Sequence, residues 1–378
     1  MALSDKIRAY TEQIDQKGLL RRRVLSDPDD GTLVRFDCND YLSLIDEPFV
    51  TNAYEHGYRH YPCGSGASML LSGYHPNHRA IEQAFAQLLA VDDCVLFSSG
   101  YSANLAITAL LGSIHAQCLV DKAVHASIYD GLTLSKVAYT RFLHNDLESL
   151  AKKLAAHPNN SVLITEGVFS MSGQIAPLSA MHQLAQVPLI VDEAHSFGIL
   201  GQHGAGSILL HGLTQNEVPL RVIPLGKACA AQGAMVAGQA DWIHALLQAG
   251  RSVIYSTALS PALSYGLLKT LEFVIKADDR RLKLVQLIDF FKHKISSSSL
   301  NWSHSNSAIQ QVRLGCPHRA LYYAQELKKN GFSCSAIRAP TVAPQASGLR
   351  IVLNYRHTPE QINSLFTTLN ALYEHQSS

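Results

Sequence analysis

Short, nearly uninterrupted apolar stretches recur along the chain: "CVLFSSG" (94–100), "QCLVD" (117–121), "SVLITEG" (161–167), "PLIVDEA" (188–194), "RVIPLG" (221–226) and "GAMVAG" (233–238). Around them the spacing turns helical. In "HRAIEQAFAQLLAVD" Ile81, Phe85, Leu88 and Leu89 fall at i, i+4, i+7 and i+8, and "YSANLAITALLG" reads as a short helix closed by Gly112. Strands that lack polar alternation are buried on both faces, and strands alternating with helices pair in parallel. The pattern therefore predicts an α/β architecture around a mostly parallel central sheet flanked by helices.

From about residue 280 the pattern changes. "LKLVQLIDFFKHKI" is an amphipathic helix, and "SAIQQVRLG", "GFSCSAIRAPTV" and "GLRIVLNYRH" read as strands around the helix "HRALYYAQELKKN". That composition predicts a smaller α+β C-terminal domain. The expected organisation is an N-terminal helix and arm over 1–45, a large ligand-binding domain over 46–278 and a small domain over 279–378. The serine run at 296–299 is expected at a loop tip. The opening segment "MALSDKIRAYTEQIDQKGLLRRRV" is polar and helical in period, without the apolar centre of a signal peptide. No later segment has eighteen uninterrupted apolar residues, so a soluble, cytoplasmic protein away from membranes is expected.

Composition narrows the classes further. Hydrophobic residues make up 47% of the 378 and charged residues 16%, enough for a sizeable core and against disorder. A net charge of +1 argues against a broad basic face for nucleic acid. The seven cysteines are scattered and form no C-x-x-C pair, which suits reduced thiols better than disulfides or a zinc site.

Ligands of parallel α/β sheets sit at the carboxyl ends of the strands. Those ends carry Ser99-Gly100-Tyr101, Asp121 with His125, Glu166 with Ser170, Asp192 with His195, and Gly226-Lys227. "DEAH" at 192–195 suggests a helicase, but that chemistry needs a G-x-x-x-x-G-K-[ST] phosphate loop. Gly226-Lys227 is followed by Ala228 and has no glycine five residues before it, so the helicase reading fails. A metal held by Asp192, His195 and His125 has no supporting ligand spacing. Lys227 remains, in "VIPLGKACAAQGA", among apolar and small neighbours. Partial burial disfavours the ammonium and makes the amine nucleophilic, which describes a Schiff-base lysine. Pyridoxal 5′-phosphate (PLP) then also requires a carboxylate at its pyridine nitrogen, for which Asp192 is the candidate. His125 is placed to stack on the ring and His195 to lie near its 3-hydroxyl. The Ser99-Gly100-Tyr101 turn offers backbone amides to the phosphate at a helix N-terminus.

The ordered segments "NDYLSL" (39–44), "GSGASMLLSGYHPNHRAIE" (64–82), "FSSGYSAN" (97–104), "DKAVHASIYDG" (121–131), "TEGVFSMSGQIAPL" (165–178), "VDEAHSFGILGQHGAG" (191–206), "GKACAAQGA" (226–234) and "IYSTALSPA" (254–262) resemble the α-oxoamine synthases. These are PLP enzymes of fold type I, and the resemblance runs almost the length of the chain. "LLRRRV" (19–24), "GSGAS" and "AIRAPTVAPQASGLRIVL" (336–353) favour the branch that condenses L-alanine with a pimeloyl thioester in biotin synthesis. The resemblance implies Lys227, Asp192 and His125 in the roles above, with His195 and Ser170 beside the phenolic oxygen. It implies Gly100 and Tyr101 at the phosphate through their amides, and Thr257 lent to the phosphate by the second subunit of a homodimer. Arg350 would hold the amino acid's carboxylate, while Arg21, Thr341 and Asn39 would be substrate-side groups. The thioester's carrier, coenzyme A or an acyl carrier protein, stays open.

This chain departs from the family pattern at four positions. Pro224 stands where the family has a hydroxyl for the phosphate, Ala228 and Ala230 replace glycines, and Met69 replaces an arginine. Losing a hydrogen bond of the first kind costs roughly 1–3 kcal/mol, so weaker PLP retention is expected. A synthase using a long-chain acyl donor or glycine, and a PLP-binding protein without turnover, remain the alternatives.

Overall fold

The structure is a computed structural model that describes residues 2–377 apart from 24, 26–30, 32 and 157–160. Val24, the last residue of "LLRRRV", lies outside the described residues. The chain divides into two compact units, Asp40–Ser170 with Ile175–Leu282, and Met1–Asn39 with Met171–Gln174 and Lys283–Ser378.

Strand β1 (Val34–Arg35) belongs to the smaller unit. The larger holds β2 (Asp93–Phe97), β3 (Gln117–Asp121), β4 (Ala138–Phe142), β5 (Ser161–Glu166), β6 (Leu189–Asp192), β7 (Leu220–Pro224) and β8 (Ala234–Gly238). They form one sheet in the order β2-β8-β7-β6-β5-β3-β4. Strand β8 runs antiparallel to both neighbours, and the other adjacent pairs are parallel. Every residue of β5 and β6 is buried, as their apolar runs require.

Side chains of a strand alternate between faces. Val95, Phe97, Ala234 and Val236 therefore join a core with the helices Gly100–Ser113 and Ala126–Leu134. Cys94, Leu96, Met235 and Ala237 join another with the helices Pro76–Leu89 and Pro261–Lys276. The apolar runs located six of the seven strands. Strand β4, "AYTRF", is the sheet edge with largely exposed side chains, so no apolar run announced it. The helix expected to close at Gly112 continues to Ser113. Gly112 answers a close approach instead, since a Cβ there would lie 2.8 Å from the Ser135 carbonyl oxygen.

The smaller unit contains β9 (Asn301–Trp302), β10 (Ile309–Arg313), β11 (Phe332–Ser333), β12 (Ser335–Ile337) and β13 (Gly348–Val352). An antiparallel sheet runs β12-β13-β10-β9, and β1 pairs in parallel with β11. Phe36 follows β1, accepts a hydrogen bond from Val352 N at 2.8 Å and stacks on His357 at 4.1 Å. Residues 34–36 are thus built into the same unit as the C-terminal strands.

In the larger unit, parallel pairing brings the ends of β3, β5, β6 and β7 to one edge of the sheet. Glu166 is in register with Asp192, and Asp192 with Val222. The turn after β6 is locked from inside the protein. Glu193, fully buried, accepts hydrogen bonds from Ser207 N at 2.9 Å, Ser207 Oγ at 3.0 Å, Ile208 N at 3.1 Å and the Ser196 hydroxyl. Replacing Glu193 by Ala should strand these donors and cost about 3 kcal/mol, read as a lowered midpoint in urea unfolding.

Candidate active site

A cavity of about 210 Å³ opens at this sheet edge. Gly100, Tyr101, His125, Asp192, His195 and Lys227 line it, with Ser170 and Glu166 beside them. The structure therefore brings together eight residues read from the sequence, carried by the ends of five different strands and the turns that follow them.

Asp192 ends β6 and is 5% exposed, so its charge has to be met by donors. Asn104 Nδ2 donates to its Oδ2 at 2.9 Å and Ala194 N to its Oδ1 at 3.0 Å. The same Asn104 Nδ2 lies 3.0 Å from Ser127 Oγ, and Ser127 Oγ lies 2.8 Å from His125 Nδ1. A single amide on the helix Gly100–Ser113 thus fixes the carboxylate and, through a serine, the orientation of the histidine ring. His125 also caps the helix Ala126–Leu134, accepting from Ser127 N.

His195 is 6% exposed, and its Nδ1 shares a 2.6 Å hydrogen bond with the Tyr41 hydroxyl. Lys227 is partly buried just past β7. Across the cavity, Ser99 caps the helix Gly100–Ser113 by accepting from Ser102 N at 3.1 Å. The first amides of that helix, at Gly100 and Tyr101, are the kind of donors that bind a phosphate. A side chain at Gly100 would collide with Pro224 Cγ at 2.6 Å, so glycine is what lets this turn and the end of β7 meet.

Of the departures from the family pattern, Pro224 lines the cavity and Ala228 packs buried nearby. Ala230 carries a positive φ of 46°, a region that suits glycine and disfavours a side chain. Thr257 does not line the main cavity; it lies with Met69, Ser98 and Ser252 around a second, much smaller one. The remaining substrate-side residues sit in the smaller unit and pair there. Arg350 Nη2, on β13, donates to Asn39 Oδ1 at 2.8 Å, and Arg21 Nη2 to Thr341 Oγ1 at 3.4 Å.

Asn104 and Tyr41 were not singled out from the sequence, although both stand inside quoted segments. Asn104 had a usable signal: it lies four residues after Gly100 and so faces the same side of its helix. Tyr41 had none, because it meets His195 across 154 positions of chain.

The donor set fits PLP: amides for the phosphate, a donor-held carboxylate for the pyridine nitrogen, an imidazole oriented beside the cavity and a partly buried amine. Comparison with known proteins points the same way. A family model described as aminotransferase class I and II matches residues 32–369. The chain is 40% identical over 349 residues to an 8-amino-7-oxononanoate synthase of Pseudomonas putida, covering 91% of this chain and 89% of that one. It is 35% identical to the synthase of the same description from Marinomonas sp., covering 97% and 94%. Among solved structures, the 8-amino-7-oxononanoate synthase from Francisella tularensis superposes with a TM-score of 0.83 at 32% identity, covering 93% and 100%. A serine palmitoyltransferase from S. paucimobilis, solved with PLP-myriocin bound, superposes with a TM-score of 0.90 at 25% identity, covering 98% of each chain.

Two outcomes follow from this geometry. Asn104→Ala should remove the shared donor of Asp192 and Ser127, costing about 1–3 kcal/mol of stability and roughly tenfold in PLP affinity by fluorescence titration. Ala230→Gly should relieve the positive φ and stabilise the protein by about 0.5–1 kcal/mol, seen as a raised Tm.

Proposed function

The chain belongs to the aminotransferase class I and II family and, within it, to the 8-amino-7-oxononanoate synthases, and on that premise we propose that it condenses L-alanine with a pimeloyl thioester. The reaction forms one carbon–carbon bond, releases carbon dioxide and the carrier thiol, and yields 8-amino-7-oxononanoate for biotin synthesis. The observation that carries this reading is 40% identity sustained over 91% of the chain.

The cofactor is PLP, which when bound supplies an electron sink for negative charge at the substrate Cα. Lys227 Nζ anchors the cofactor, then takes the Cα proton of alanine and later returns one. Asp192, whose two oxygens accept from Asn104 and Ala194, would hold the proton on the pyridine nitrogen. His125 would stack on the bound ring, and His125 or a backbone donor would meet the developing oxyanion, while His195 and Ser170 would hydrogen-bond the phenolic oxygen. The amides of Gly100 and Tyr101 would hold the phosphate. Arg350 takes the amino acid's carboxylate in its planar fork, and Arg21, Asn39 and Thr341 meet polar groups of the substrates.

The working form is a homodimer in which Thr257 reaches the phosphate held by the partner. Exposed Leu71 and Tyr255, at 81% and 71%, support a covered surface near that segment. The carrier is coenzyme A or an acyl carrier protein. Among the described residues no helix is long and apolar enough to cross a membrane. The seven cysteines are free, which supports a reducing, cytoplasmic site of action. A second reading, a long-chain acyl donor, draws on the serine palmitoyltransferase superposition, but at 25% identity against 40% it ranks below the first.

Purified protein supplied with PLP, L-alanine and pimeloyl-coenzyme A or the pimeloylated carrier protein should release carbon dioxide and the nine-carbon aminoketone. Lys227→Ala should lower the rate by at least about a thousandfold. Turnover only with a long-chain thioester would move the assignment to the second reading, and undiminished turnover by Lys227→Ala would sink the mechanism.

A further inference from the structure

Glu166 lines the cavity, yet the chemistry above gives it no task. It ends β5, is 2% exposed, and stands in register with Asp192 on the adjacent parallel strand. Neighbouring strands lie about 4.8 Å apart, and in-register side chains share a face, so these two carboxyl groups are close neighbours in a water-poor site. Two such groups do not both ionise; one proton stays with the pair.

The distribution of donors decides which member keeps it. Both oxygens of Asp192 accept hydrogen bonds, at 2.9 Å from Asn104 Nδ2 and 3.0 Å from Ala194 N. Glu166 accepts through Oε2 from Ser170 N at the longer distance of 3.2 Å. The main-chain amide of His125 also faces the Glu166 carboxyl, though Oε1 finds no partner of good hydrogen-bond geometry. Burial first, and the charge of Asp192 second, push the Glu166 carboxyl well above the ordinary carboxylate range. The cation of Lys227 and the Ser170 and His125 amides pull weakly the other way. Further along the edge, Asp121 at the end of β3 is engaged by His144 at 3.1 Å, and His195 by Tyr41.

We propose that Glu166 is a positioning residue: a proton-bearing carboxyl that ties the Ser170 and His125 turns to the end of β5 and leaves the negative charge on Asp192. It touches no reacting atom in this role. The inference rests on the reading of this cavity as a PLP site, and not on the identity of the amino acid or the acyl donor.

A group whose proton is favoured by folding holds the site best at low pH and loosens it as pH rises through the raised value. The neutral amide of Glu166→Gln has no such proton to lose. The experiment is a PLP titration of cofactor-depleted full-length protein between pH 6 and 10, followed by absorbance and by the circular dichroism induced in bound PLP. Wild type, E166Q and E166A are compared. E166A should bind PLP roughly tenfold more weakly with a diminished induced signal. E166Q should match wild type at pH 7 and retain its affinity at alkaline pH where wild type weakens.

E166Q as defective as E166A at pH 7 would show that an ionised carboxylate is needed and would overturn the proposal. So would E166A with wild-type affinity and signal, or E166Q and wild type weakening together as pH rises. Should E166A fail to fold, the comparison of E166Q with wild type at pH 7 and 9 decides alone. Wild type that takes up no PLP at all would overturn the cofactor reading itself, an outcome distinct from any difference among the variants.

Discussion

A charge placed at the end of a buried strand has to be met by donors, and Asp192 is where this protein meets that demand. Its strand is buried along its whole length and delivers the carboxylate to the sheet edge at 5% exposure. Both oxygens are occupied, by a helix side chain and by the next turn's amide. With that charge secured, the cavity can offer a fixed anion to a cationic ring without water reorganising around it.

The same donor spreads order outward. Asn104 reaches Ser127 as well as Asp192, so the turn after β3 and the end of β6 share one anchor. Behind them, Glu193 locks the loop that carries His195 with four hydrogen bonds from three residues. The histidines of the cavity stand on turns, and buried polar side chains pin both: Asn104, through Ser127, the turn of His125, and Glu193 the turn of His195. Geometry of this kind is what holding a proton at one chosen atom requires.

The departures from the family pattern look different once packed. Pro224 fills the space against Gly100, and Ala228 is buried, so neither leaves a gap in the wall of the cavity. Ala230 is the costly one, because its backbone keeps the left-handed conformation that a glycine would take without strain. None of these positions alters the carboxylate, the amine or the histidines.

Local pattern was enough to locate the buried strands. Apolar runs marked β2, β3 and β5 to β8, and the polar residues that end them marked Asp192, His125, Ser170, Lys227 and the Gly100 turn, which line one cavity. These are properties of a few consecutive residues, and consecutive residues are what a pattern can read. Tertiary structure alone decided the reversed direction of β8, the edge strand β4, and the pairing of β1 with β11 across nearly three hundred residues. It also decided who holds whom: Asn104 with Asp192, Tyr41 with His195, Arg350 with Asn39. Such partners are set by the register of paired strands and the packing of distant helices, neither of which leaves a period in the chain.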